Sequence, residues 1–301
     1  MTRSDLPLLE PGAPTLPGRA RIAQRWSHAV FLHWRVDPDR IRPLMATGVE
    51  PDVFDGSAWI ALVPFVLSDF RFLPFGPVPR LGTFCEINVR TYGVDAAGRR
   101  GVVFQTLEAE HLLPVLTARA LFGLPYRWSQ IGMRDEPGAR VREFRSRRRS
   151  AGGRPGEPRT RIRVAIGGTV IDTPLSRFLT ARWGFHERHL GRTIWAANEH
   201  EPWPLVEAEL LALDDDLLAA AGFADLVDRA PDSVLAMPFD HPGLITRFSG
   251  ARGADAPFPP LPRPFRAVSA PTRRRYVGLA STTQEIGAVA AGNRADHAWS
   301  P

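Results

Sequence analysis

The sequence predicts an α+β protein that is mainly β, built on a closed or sandwiched sheet with a few short helices. Three observations carry that expectation. The chain contains 29 prolines in 301 residues, too many for a helical bundle and in keeping with short elements joined by turns. The stretch Thr83 to Tyr92 (TFCEINVRTY) alternates almost without a break, with Cys85, Ile87 and Val89 on one face and Glu86, Asn88 and Arg90 on the other. It lies between the apolar runs Trp59-Ile60-Ala61-Leu62-Val63 and Val102-Val103-Phe104, which suit strands covered on both faces. On a half-exposed sheet the polar row would face water; in a closed sheet it faces a lumen.

Taken in order, residues 1–20 are proline-rich, polar and aperiodic, and are expected to form a flexible arm ahead of one domain over 21–250. Gln24 to Val36 is aromatic and β-branched, hence a strand, although its alternation is imperfect. His33 within it reads first as a satisfied core residue and second as a catalytic group. Asp37-Pro38 is a cap followed by proline at the first helical position; Pro43 keeps that helix short and Gly48 ends it. After a turn at Asp55-Gly56 comes an apolar strand over 58–66, then a proline-broken loop from Leu73 to Arg80. The alternating strand follows, turns at Asp95-Ala96-Ala97-Gly98 and returns as Gly101 to Leu107. Pro114 opens a helix to Phe122, stopped by Gly123, and Leu124 to Trp128 leads into another strand. Arginine dominates residues 140–163, where Arg161 and Arg163 alternate with Ile162 and Val164: a strand paired with VREFRSRR across a Gly/Pro-rich turn at 151–158. Thr173-Pro174 starts a second capped helix, closed by Gly184, and Glu201-Pro202-Trp203-Pro204-Leu205 is a rigid turn before the strand Val206 to Leu213. Residues 251–301 are Pro/Arg-rich and then small-residue coil, expected to be a disordered tail.

Composition closes several routes. The chain has no lysine: all 38 basic side chains are arginine, so imine chemistry on a side-chain amine is excluded. The lone Cys85 excludes an internal disulfide or a Cys-pair metal site and fits a reducing, cytoplasmic setting; no apolar stretch reaches spanning length and the N-terminus lacks a signal-peptide core. His186 and His189 lack the further ligands that a metal needs, no glycine-rich phosphate loop occurs, and neither metal nor cofactor is expected. The net charge of +6 invites a nucleic-acid reading. Only Phe144 interrupts the arginine ribbon, however, and no helix-turn-helix signature accompanies it, so the expectation is a solvated or subunit-facing ribbon, the latter allowing a homo-oligomer.

Several segments, QRWSHAVFLHWRVDPDRIRPLM, FDGSAWIALVPF, CEINVRTY, ARALFGLPYRW, FRSRR, FLTARWGFH and EPWPL, occur together in this order. They resemble the YqjF-like bacterial domain of unknown function, itself similar to acetoacetate decarboxylase, over roughly Gln24 to Arg247. The resemblance implies a cone-shaped, mostly antiparallel β-barrel with a few peripheral helices. The decarboxylase uses an imine-forming lysine beside a second lysine, preceded by an arginine and a proline, with a glutamate on an earlier strand. Arg119 and Pro125 resemble that arginine and proline, Tyr126 and Arg127 fall where the lysines would be, and Glu86 falls at the glutamate. With no lysine anywhere, the decarboxylase mechanism cannot transfer.

The resulting expectation is a small-molecule enzyme whose lumen holds Glu86, Asn88, Arg90, Tyr126 and Arg127, with Arg119 beside them. An arginine holds a substrate carboxylate through paired, charge-assisted hydrogen bonds, Glu86 moves a proton, and Tyr126 donates to a developing oxyanion. Such roles suit proton abstraction beside a carbonyl, dehydration or isomerisation of an oxo-acid. The structural alternatives are an ion pair between Glu86 and Arg90 and a packed Tyr126 ring with its hydroxyl on backbone. The functional alternative is a non-catalytic barrel carrying a carboxylate or lipid in the same cavity.

Overall fold

In the computed structural model, residues 9–78, 82–111, 123–149 and 156–254 are described. Strands dominate: β1 (Ala20–Ser27), β2 (Val30–Val36), β3 (Val49–Pro51), β4 (Ala58–Phe72), β5 (Phe84–Asp95), β6 (Arg100–Ala109), β7 (Tyr126–Glu136), β8 (Val141–Arg148), β9 (Arg159–Val170), β10 (Gly184–His189), β11 (Arg192–Glu199), β12 (Val206–Asp215), β13 (Ser233–Ala236), β14 (Leu244–Ser249) and β15 (Arg252–Gly253).

The long strand β4 explains the architecture. Its first half pairs with β2, Leu62 opposite Leu32, and its second half pairs with β1, Val66 opposite Ser27. β1 and β2 thus run one after the other along the same edge. The single strand expected over Gln24 to Val36 is two, separated at His28, whose φ of 59° is left-handed. That break accounts for the imperfect alternation, and it sends β1 to β14 and β2 to β13. β4 is also longer than expected, running through Pro64 to Phe72. Pro64 falls where pairing with β2 has ended and pairing with β1 has not begun, so a residue without an N–H meets a ladder already interrupted.

Across the sheet β6 divides in the same way. Val102 meets Phe185 of β10 and Leu107 meets Tyr126 of β7, both pairings parallel in an otherwise antiparallel sheet. The strand order therefore closes twice around the shared wall β4–β5–β6: a small ring through β10, β11, β14 and β1, and a large ring through β7, β8, β9, β12, β13 and β2. The large ring is packed solid with Leu32, Trp34, Ile60, Phe144, Ile162 and Val164 among others. Ile87 and Val89 of β5 face this core and are fully buried, each such side chain contributing roughly 1.5–3 kcal/mol. The alternate residues of β5 therefore face the small ring.

The short helices lie as their caps dictate. Asp37 accepts from the Asp39 N–H at the start of α1 (Pro38–Ile41), and Pro43 turns the chain into a 3-10 turn over Arg42–Leu44. Thr173 and Ser176 form a reciprocal capping box on α2 (Pro174–Thr180). This helix ends before Gly184, which opens β10 instead. The Asp95–Gly98 turn is held by the Asp95 carboxylate, which accepts from the N–H groups of Ala97 and Arg99, both at 3.0 Å. β8 and β9 form the expected arginine ribbon, with Arg161 bound to Glu143 at 2.9 Å. Arg142, by contrast, is fully buried on Asp135 at 2.8 Å. The helix expected over 114–122, most of the turn at 151–158, residues 1–8 and the tail beyond Ala254 lie outside the described residues. Within them, Leu16 packs on Trp195 and Ala197, and Arg252–Gly253 pairs with β11, so both flanks engage the sheet at these points rather than running free.

Candidate active site

The inner face of the small ring encloses a cavity of about 220 Å³. Register fixes what lines it. Arg90 lies opposite Ala61 of β4 and Phe104 of β6, Asn88 opposite Val63 and Leu107, Glu86 opposite Phe65 and Ala109, and Phe84 opposite Leu67. The polar row read from the sequence faces this lumen, framed at one end by Phe84.

Glu86 is 2% exposed. Its Oε2 accepts from the Tyr126 hydroxyl at 2.9 Å and its Oε1 from Asn88 Nδ2 at 3.2 Å. Burial pushes the Glu86 carboxyl up to about 8, against the opposing pull of the Tyr126 hydrogen bond, so the acid is mostly protonated at neutral pH. Burial, with the neighbouring Glu86 charge, also holds the Tyr126 phenol well above its ordinary range. Glu86 spends its two oxygens on Tyr126 and Asn88 and forms no ion pair with Arg90, and Tyr126 is tied to a carboxyl rather than to backbone. The Arg90 guanidinium lies 5.6 Å from the Phe31 ring centre and 5.7 Å from that of Tyr92, and its Nε is buried with no hydrogen-bond partner among the described residues.

The remaining expectations divide. Arg127 follows Tyr126 on β7; since successive strand residues point to opposite faces, placing Tyr126 inward turns Arg127 outward, and it is exposed and absent from the cavity wall. Its expected role in the lumen is corrected accordingly. Arg119 lies outside the described residues. His33 is a fully buried residue with Nε2 at 2.8 Å from the Tyr92 hydroxyl, and it does not line the cavity. Among the described residues, no group of three or more His, Cys, Asp or Glu side chains is placed to hold a metal.

The structure adds residues that sequence reasoning missed. His200 lines the cavity between Trp183 and Trp203, its Nδ1 2.6 Å from the Glu201 carbonyl. A carbonyl only accepts, so Nδ1 carries the proton and Nε2 is left as an acceptor. Burial, with the nearby Arg90 charge acting in the same direction, pushes this imidazole down to about 4 and keeps it neutral. Arg182, 3% exposed, reaches the cavity with Nη1 on Asp52 at 2.5 Å and its guanidinium 4.4 Å from the Tyr92 ring centre. Buried polar atoms without partners among the described residues gather on this wall: Arg90 Nε, Asn88 Oδ1, Asn198 Oδ1, Arg182 Nη2 and Trp26 Nε1. Such atoms are costly unless something meets them. The quoted segments FLTARWGFH and EPWPL were the available signal, since the first contains Arg182 and the second holds Glu201, next to His200, and Trp203.

The fold is that of acetoacetate-decarboxylase-like enzymes. It is similar to the acetoacetate decarboxylase of Legionella pneumophila (TM-score 0.55, 11% identity, 79% of this chain and 88% of that one). It is also similar to an acetoacetate decarboxylase-like enzyme from Sphingomonas wittichii RW1 (TM-score 0.53, 13% identity, 79% and 94%). The chain belongs to the DUF2071 family of uncharacterized conserved proteins, which it matches over residues 23–239. It is 31% identical over 195 residues to the uncharacterized protein YqjF of Bacillus subtilis (strain 168), covering 62% of this chain and 76% of that protein.

Proposed function

We propose that this chain is a small-molecule enzyme that moves protons on an oxo-acid or related carboxylate without forming an imine. One observation carries the reading: a protonated, buried Glu86, held by Tyr126 and Asn88, shares one small cavity with an Arg90 whose charge no described carboxylate meets. Arg90 binds the substrate carboxylate through paired hydrogen bonds. Glu86 delivers a proton to the reacting carbon or oxygen, and Tyr126, bonded to the Glu86 carboxyl, keeps it in position. Asn88 steadies the second carboxyl oxygen while its own Oδ1 remains available to a substrate hydroxyl. The neutral His200, an acceptor on the same wall, is the complementary group. A carboxyl pushed up and an imidazole pushed down within one cavity is the pattern expected of an acid and its partner base. These parts suit dehydration, isomerisation or proton exchange beside a carbonyl.

The test is hydrogen exchange at the carbon beside the carbonyl of a series of oxo-acids, followed in deuterated water with wild type and Glu86→Gln. The reading requires enzyme-dependent exchange that Glu86→Gln removes. Binding of the same acids with no exchange or turnover supports the second reading, a non-catalytic carrier, which the many aromatic and aliphatic groups of the cavity wall favour.

A further inference from the structure

Register along β4 and β5 grades the cavity from polar to apolar. Arg90 marks one end; then come Asn88 with Val63, Glu86 with Phe65, and Phe84 with Leu67. Beyond Leu67, β1 continues the wall, with Trp26 opposite Leu67, Ile22 opposite Phe72 and the uncharged Gln24 between them. Phe72 lines the cavity and is 38% exposed, so the apolar end is the one that approaches solvent there. At ~3.4 Å per residue, the four-residue spacing of Arg90 and Glu86 is ~14 Å of strand. Among the described residues, no charged side chain lines the wall beyond Glu86 on this path.

We propose that the ligand is a monocarboxylate with a compact apolar tail, a ring or a branched chain, bound with its carboxylate on Arg90 and its tail among Phe65, Trp26 and Trp203. This rests on the carboxylate reading above. Size limits the tail: about 220 Å³ accommodates on the order of seven to eleven non-hydrogen atoms, at ~30 Å³ for a water-sized group and ~20 Å³ for a close-packed one. Longer acyl chains exceed that volume and would project past Phe72 into solvent. Clustered aromatic rings such as Trp26, Trp203 and Phe65 also suit organic cations. The Arg90 guanidinium beside Phe31, itself 5.0 Å from the Trp203 ring, opposes a positive charge in that cluster. A dicarboxylate would bury its second charge against the phenyl groups, which is unfavourable.

Titration calorimetry with acetate, butanoate, hexanoate, 3-phenylpropanoate, dodecanoate, succinate and 3-phenylpropanamide tests this on wild type and Arg90→Gln. Affinity should rise about fourfold per added apolar carbon up to the size of phenylpropanoate. It should then fall for dodecanoate, and succinate and the amide should bind at least about tenfold more weakly than phenylpropanoate. Arg90→Gln should lose most binding of every acid while retaining its melting temperature within a few degrees. A flat response to tail length, or preference for succinate, with binding still lost in Arg90→Gln overturns the apolar-tail inference but leaves the carboxylate anchor standing. Tail-dependent binding that is indifferent to Arg90→Gln, with amide equal to acid, overturns both. The wild-type series decides the tail even if the variant fails to fold.

Discussion

A carboxyl held at about 8 by burial leaves a signature in stability as well as in chemistry. In the unfolded chain Glu86 titrates near ~4.3, so between that value and about 8 the folded state holds a proton that the unfolded state has lost. The sign follows: stability from this group is full below the unfolded value and declines as pH rises toward the folded one, by at most about 1.4 kcal/mol per pH unit. Glu86→Gln mimics the neutral acid, and its urea-unfolding free energy relative to wild type should improve steadily from pH 5 to pH 8. A constant difference across that range would mean that Glu86 is ionised in the folded protein. On any substrate that wild type turns over, the same variant should lose about 10²–10⁴ in rate. Tyr126→Phe removes the bond that lowers the Glu86 value, so the alkaline limb of the pH–rate profile should move upward, with a stability loss of about 1 kcal/mol. Movement of that limb downward would contradict the proposed arrangement.

The segment after β3 carries a buried carboxylate shared by two arginines. Asp52, 2% exposed, receives Arg100 Nε at 2.8 Å and Arg182 Nη1 at 2.5 Å, which ties β6 and the chain just after α2 to the wall of the cavity. Burial alone would raise this carboxyl, yet the Arg182 and Arg100 charges hold it below its ordinary value. Asp52→Asn should therefore cost about 3–5 kcal/mol by stranding buried cations, read by denaturant unfolding at pH 7, and the penalty should shrink at low pH as wild-type Asp52 also protonates. Legibility at this scale followed the range of the interactions. β5 was readable because period-two alternation is local, and both capped helices were readable because the caps Asp37 and Thr173 accept from backbone N–H groups within three residues. Arg127 was misplaced because a family likeness set it beside Tyr126 without applying the alternation that separates neighbours on a strand. The break between β1 and β2 and the inward turn of His200 depend on pairings with β4, β13 and β14, remote partners that no short window contains.

At the level of the whole molecule, charge and topology each set a limit. The arginines of β8 and β9 are partly engaged with Glu143 and Glu136, so adsorption to DNA or RNA should be weak, indifferent to sequence and lost near physiological salt in mobility-shift assays. Tight, sequence-selective binding under those conditions would refute it. The wall of β4, β5 and β6, common to both rings, bears on how this family can diversify. Odd positions of β5, Ile87 and Val89, belong to the packed ring, while even positions, Glu86, Asn88 and Arg90, belong to the cavity. Substitution at the even positions can change ligand chemistry while leaving the packing of the large ring intact. Insertion or deletion of a single residue within Glu86 to Arg90 exchanges the two sets, drives a carboxyl and a guanidinium into the densest packing of the molecule and turns aliphatic groups toward the ligand. Descendants of this sequence are thus free to vary in side chain along β5 but not in length, and a library of length variants in that strand should yield no folded member.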